Sequence, residues 1–155
     1  MQKKRIIFMG TPEISSFYLK SLINNQHNII AVFSQPPKKK GRGMILQNSP
    51  VHEIALNNKI DIFTPINFNS INVIEDVKKL KPDLIIIMGY GIILPKSILQ
   101  IPLLGCFNIH ISLLPRWRGA TPIEHTLING DKITGVTIFK LVEEMDAGPI
   151  IAQEN

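Results

Sequence analysis

Asn108, His110 and Ser112 alternate along the segment Asn108-Ile109-His110-Ile111-Ser112. In an extended strand, residues two apart point to the same side. An amide donor, an imidazole and a hydroxyl therefore converge if this strand ends at a ligand site. Asn and His can both donate to an oxygen that becomes negative in a tetrahedral transition state, and His exchanges a proton near neutral pH. Further along comes Met145-Asp146-Ala147-Gly148. A carboxylate brought beside His110 would orient it and favour its protonated form. Each piece also has a plainer reading. A strand-end histidine can be satisfied by backbone, and Asp-x-Gly often only forms a turn.

Between these residues runs Leu113-Leu114-Pro115-Arg116-Trp117-Arg118-Gly119-Ala120. It reads as an irregular loop with two cations around an aromatic, entering a helix near Thr121-Pro122. Upstream, Lys38-Lys39-Lys40-Gly41-Arg42-Gly43 lies in a polar segment from Ser34 to Ser49 with no apolar periodicity. Read alone, it is a mobile basic loop, able to neutralise phosphates with little demand on shape. A solvated surface loop is the plainer alternative. Its length argues for a role, because long structureless loops are often functional.

The elements that would position these groups alternate strand and helix. Arg5–Met9, Asn28–Phe33 and Leu84–Met88 read as buried strands. Asp61–Phe63 reads as a short strand, Gly105–His110 as another, and Thr134–Leu141 as an edge or mixed strand. Ile14–Asn24, Pro50–Asn58 and Ile71–Leu80 carry apolar residues at helical spacing, and Pro50 suits a first turn. The pattern implies an α/β fold with a doubly wound, Rossmann-like, mostly parallel sheet and helices on both faces. Such sheets bind ligands beyond the carboxyl ends of their strands. Gly10, Met88-Gly89-Tyr90 and His110 fall at those ends. The turn Gly10-Thr11-Pro12-Glu13 holds one glycine and a carboxylate where dinucleotide binding wants three glycines, so it reads as a tight structural turn.

Composition bounds the function classes. The 155 residues carry 17 basic and 12 acidic side chains, a net charge of +5. That balance permits a polyanionic partner without requiring one. The one cysteine, Cys106, can form no internal disulfide and suits a reducing compartment. The longest apolar stretch, Leu84 to Leu94, contains two glycines and falls short of the roughly 20 residues of a membrane span. The reading expects a cytoplasmic monomer with no membrane partner and no metal. One catalytic domain over 1–155 is expected. Pro149-Ile150-Ile151-Ala152 starts a strand just before Asn155, so a continuation is expected too.

On the motif Asn-x-His-x-Ser-Leu-Leu-Pro followed by Asp-x-Gly, the chain resembles the folate-dependent formyltransferases. Within them it is similar to the methionyl-tRNA formyltransferase family. Gly10-Thr11-Pro12, the Gln35-Pro36 to Pro50 segment with Gly41-Arg42-Gly43, and Pro115-Arg116-Trp117-Arg118-Gly119-Ala120-Thr121-Pro122-Ile123 carry that narrower likeness. The resemblance extends over essentially the whole chain and implies a protein that continues into a barrel-like tRNA-binding domain. It implies catalytic roles for Asn108, His110 and Asp146. It puts 10-formyltetrahydrofolate against Met88, Tyr90, Ile92, Leu94, Ser112, Leu113, Leu114 and Pro115, with the Leu141 to Asp146 loop. It puts initiator methionyl-tRNA against Lys38, Lys39, Lys40, Arg42, Arg116 and Arg118. Departures are small: Ile111 stands where a smaller residue is common, and Met145-Asp146-Ala147 replaces a frequent Leu-Asp-Thr. Formyltransferases acting on a purine-pathway ribotide or a nucleotide-linked amino sugar would share the three catalytic positions. A non-catalytic fragment retaining folate or RNA affinity is the rival of another class. A dinucleotide oxidoreductase lacks its glycine fingerprint here.

Overall fold

The computed structural model describes residues 3–155. Strand β1 (Arg5–Gly10) runs through the turn Thr11-Pro12 into helix α1 (Glu13–Asn24), and β2 (Asn28–Phe33) returns parallel to β1. Next come β3 (Lys38–Lys40), β4 (Ile45–Gln47), α2 (Pro50–Asn57) and β5 (Ile62–Phe63). Helix α3 (Ile71–Leu80) leads to β6 (Leu84–Met88), and α4 (Lys96–Leu99) to β7 (Gly105–His110). Helix α5 (Pro122–Ile128), β8 (Val136–Lys140) and β9 (Ile150–Glu154) complete the chain.

Seven strands form one sheet in the order β5-β2-β1-β6-β7-β8-β9. The five from β5 to β7 are parallel; β8 and β9 are antiparallel to their neighbours. The chain winds outward from β1 to β5, then restarts on the other side of β1 with β6. Such a reversal leaves a crevice at the strands' carboxyl ends. The expected doubly wound α/β fold with helices on both faces is what the chain adopts.

Residue alternation builds the two layers of core. Ile7, Met9, Ala31, Phe33, Ile85 and Ile87 face one side and pack with Val77 of α3 and Ile98 of α4. Phe8, Val32 and Met88 face the other and pack with Leu19 of α1 and with Val51 and Ala55 of α2. Each Val, Leu, Ile, Phe or Met side chain fully buried there contributes roughly 1.5–3 kcal/mol. Cys106 lies in the first layer, where burial pushes its thiol up to about 12. Helix α2 begins where expected because Ser49 caps it, accepting from the His52 amide at 3.0 Å, with Pro50 following. Helix α3 ends at Lys81, whose φ of 47° is left-handed, just before Pro82.

One expectation is corrected. The basic segment is not an irregular loop. Lys38–Lys40 and Ile45–Gln47 pair antiparallel as a two-stranded hairpin apart from the main sheet. Gly41 and Gly43 at φ 71° and 89° close the turn. Every residue of both strands is exposed, so no face had to be apolar and alternation could not mark it. The short helix α4 has four residues, too few to show a helical period in the sequence. No helix among the described residues is long and apolar enough to cross a membrane.

Candidate active site

A cavity of about 590 Å³ opens where β6 and β7 end. Its walls include Met88, Gly89, Tyr90, Ile92 and Leu94 after β6, Asn108 to Ile111 at the end of β7, Gly119 to Pro122, and Leu141 to Asp146 after β8. The volume falls in the usual range for small-molecule sites, about 300–1,000 Å³. The lining is mostly apolar, and Asn108, His110 and Asp146 are among its polar members, with Thr121, Glu143 and Glu144.

The β6 exit is held tightly. Ser15 Oγ donates to the Met88 carbonyl at 2.6 Å. Thr11 Oγ1 and Gln35 Nε2 both donate to the Tyr90 carbonyl, at 3.0 and 2.9 Å. Gly10 is packed against this exit; a Cβ there would lie 2.9 Å from the Met88 carbonyl oxygen. The first turn thus joins two strands closely, which agrees with reading it as structural. Tyr90 is buried, and its hydroxyl has no hydrogen-bond partner among the described residues. Burial pushes that phenol up from its ordinary value.

His110 is 6% exposed and sits at the last position of β7. Its Nε2 is 2.8 Å from the Trp117 carbonyl oxygen. A carbonyl can only accept, so Nε2 carries the hydrogen and donates. Nδ1 is left on the other edge of the ring, 3.7 Å from Asp146 Oδ2. That is ion-pair range but longer than a hydrogen bond. Asp146 Oδ2 accepts instead from the Gly119 amide at 2.7 Å. Asn108 precedes His110 by two positions and lines the same cavity.

The loop between β7 and α5 bends sharply to make these contacts. Trp117, Gly119 and Thr121 have φ of 59°, 89° and 56°, and Asp146 across from them has 47°. Left-handed conformations are costly for a β-branched or bulky residue, so surrounding contacts must hold them. Thr137, buried on β8 opposite His110, anchors the start of the loop: it donates to the Ser112 carbonyl at 2.7 Å and accepts from the Leu114 amide at 3.1 Å, and Gln153 Nε2 donates both to Thr137 at 2.8 Å and to the Leu114 carbonyl at 3.0 Å.

Asn108, His110 and Asp146 come together as the sequence led us to expect, and Met88, Tyr90, Ile92 and Leu94 line the same cavity. Ser112, Leu113, Leu114 and Pro115 do not line it. The strand ends at His110, so alternation no longer applies to Ser112, which is buried and donates to the Arg116 carbonyl at 2.6 Å. Arg116 is engaged by Asp131, with Nε and Nη2 at 2.7 and 2.6 Å from the two carboxylate oxygens. Arg118, Lys38, Lys39, Lys40 and Arg42 are exposed; Lys38 also donates to Gln35 Oε1 at 2.6 Å. Thr137, Gln153 and Asp131 had no legible signal, since each acts through a partner distant in sequence.

A family profile described as formyl transferase matches residues 4–155. The chain belongs to the formyl transferase family. It is 46% identical over 148 residues to a protein of Legionella pneumophila named methionyl-tRNA formyltransferase, covering 96% of this chain and 47% of that one. It is 50% identical over 152 residues to a protein of the same name from Francisella tularensis, covering 97% and 49%. The chain thus spans about half the length of the curated relatives it matches. Among formyl transferases of known structure, the phosphoribosylglycinamide formyltransferase of Bacillus halodurans superposes with a TM-score of 0.79 at 26% identity, over 97% of this chain and 78% of that one. A formyltetrahydrofolate deformylase from Pseudomonas syringae shares the fold, with a TM-score of 0.74 at 23% identity over 99% of this chain and 51% of that one.

No group of three or more His, Cys, Asp or Glu side chains that could hold a metal ion occurs among the described residues.

Proposed function

We propose that this chain carries the chemistry of formyl transfer from 10-formyltetrahydrofolate to the amino group of methionine esterified to initiator tRNA. The observation that carries the reading is the His110–Asp146 pair, with Asn108 two residues before His110 on the same strand, all three lining a mostly apolar cavity. An apolar slot with a few convergent polar groups fits a flat heterocyclic donor with one reactive polar end. Tyr90, Ile92, Leu94 and Leu141 would hold the ring system, and these polar residues would meet the formyl group.

The amine must attack unprotonated. A free α-amino group titrates at roughly 7.7–8.0, and esterification lowers it further, so no strong base is needed. Attack on the formyl carbon puts negative charge on its oxygen. Asn108 and protonated His110, through Nδ1–H, would stabilise that charge; losing one donor of this type costs about 3–4 kcal/mol. As the carbon–nitrogen bond to the donor breaks, the proton lost by the attacking amine passes to the departing nitrogen. His110 with Asp146 is the group placed to relay it. The two relatives' names and the exposed cations support this acceptor. Lys38, Lys39, Lys40, Arg42 and Arg118 would meet tRNA phosphates. Arg116, bound to Asp131, would contribute less.

The test is incubation of the chain, and of a form extended to the length of its relatives, with 10-formyltetrahydrofolate and methionyl-tRNA, assaying formyl-methionine on the tRNA. Formylation that depends on His110 is expected from the extended form. Formylation of a ribotide or amino-sugar amine, with none on the tRNA, would overturn the acceptor. Salt-sensitive RNA binding without any transfer would overturn the chemistry.

A further inference from the structure

We propose that Asp131 is a positioning residue for His110, acting through Arg116 and Trp117 to hold the carbonyl that sets the histidine's tautomer. The inference rests on the reading of His110 as a catalytic group.

Asp131 follows α5, and its amide donates to the Thr126 carbonyl at 3.1 Å, which fixes the residue against the helix. Its side chain is 14% exposed and accepts three hydrogen bonds: two from Arg116 and one from Trp117 Nε1 at 2.7 Å. Arg116 and Trp117 are consecutive, so one carboxylate fixes two neighbouring side chains. The Arg116 guanidinium lies 4.3 Å from the centre of the Trp117 ring, and the His125 ring stacks on that ring at 5.2 Å. Such contacts give a left-handed tryptophan the external support it needs.

The backbone of this clamped stretch reaches the catalytic groups. The Trp117 carbonyl accepts from His110 Nε2 at 2.8 Å, and two residues later the Gly119 amide donates to Asp146 Oδ2 at 2.7 Å. While the carbonyl stays in place, the hydrogen stays on Nε2 and Nδ1 faces Asp146 and the cavity. Without Asp131, two adjacent side chains lose their common anchor, the carbonyl drifts, and neutral His110 can take either tautomer.

The test compares Asp131→Ala, Asp131→Asn and Trp117→Phe with the parent. Imidazole nitrogen resonances of the 15N-labelled 155-residue chain, assigned with His110→Gln, report the tautomer without any activity. The parent is expected to hold His110 with Nε2 protonated, and the Asp131 variants to populate both tautomers. In the extended enzyme, kcat should fall about a hundredfold in Asp131→Ala, as expected for a slightly misplaced catalytic group. KM for the folate donor should stay within about threefold, since no contact with it is removed. Trp117→Phe, which removes one of the three hydrogen bonds, should move both readouts less and in the same direction. Rates are compared where circular dichroism reports full folding; if Asp131→Ala does not fold, the other two variants decide. An unchanged His110 tautomer in every folded variant, or kcat following only the folded fraction, would overturn the proposal. Absence of formyl transfer by the parent would instead overturn the functional reading, and the resonances would still decide the role of Asp131.

Discussion

Two polar, arginine-bearing segments of similar length are built in opposite ways. The basic hairpin, residues 38–47, is regular, yet all of it is exposed. Its order comes from its own ladder and its glycine turn. The loop from Ile111 to Thr121 has no regular structure, yet Thr137, Gln153 and Asp131 hold it from outside. The first can move without disturbing the core. The second cannot move without displacing partners of His110 and Asp146. Regularity is thus a poor guide to rigidity here; the number and burial of external hydrogen bonds is the better one.

The contrast can be broken by substitution, beginning with the polar residues of the cavity. His110→Ala in the extended enzyme should lower kcat by about a thousandfold or more while the fold persists, since a proton-relaying group and an oxyanion donor are both lost. Near-normal turnover would remove His110 from the mechanism. Asn108→Ala should cost about a hundredfold to a thousandfold in kcat, read from the same assay. Thr137→Val keeps the side chain's shape but orphans the Leu114 amide and the Ser112 carbonyl. It should lower unfolding free energy in urea by about 2–3 kcal/mol, and an unchanged midpoint would mean the loop is not held from β8.

Smaller effects sharpen the other side. Lys39→Ala with Arg42→Ala should leave the melting temperature unchanged within about 1 °C, as surface changes usually do. The pair should weaken tRNA binding and lower the slope of log affinity against log salt by about one per lost phosphate contact. A fall in melting temperature would show the hairpin to be part of the structural frame. The smallest effect concerns acid. Hydrogen bonds from Arg116, then from Trp117, hold the Asp131 carboxyl down at about 2 against an ordinary 3.8. A depressed carboxylate stabilises the fold fully above its unfolded value and loses that contribution as pH falls through its folded one. The stability gap between the parent and Asp131→Asn should therefore be constant above about pH 5 and close progressively as pH falls through about 2.

Much of this was legible from residue order. Leu84–Met88 and Asn28–Phe33 could only be buried strands, and Val73, Ile74, Val77 and Leu80 could share a face only as a helix. These patterns are local: a strand with core on both faces is apolar throughout, and a helix with core on one side repeats its apolar residues every three or four. Asn108 and His110 were legible as a pair for the same reason. They share a strand, and the pleat puts them on one side.

What lay beyond the sequence needed partners far apart in the chain. Ser112 reads as a third member of the alternation until the strand stops at His110 and the chain turns it inward. Lys38–Lys40 shows no alternation because its strand buries neither face. Arg116 reads as a free cation, and only the fold brings Asp131 to it. Asp146 could be suspected, but its place beside the histidine depends on β8 pairing with β7. Residue order determined the strands, the helices and the chemical types gathered at the end of β7. Tertiary structure decided which edge of the His110 ring faces the cavity, because that choice rests on the Trp117 carbonyl and on the side chains that keep it there.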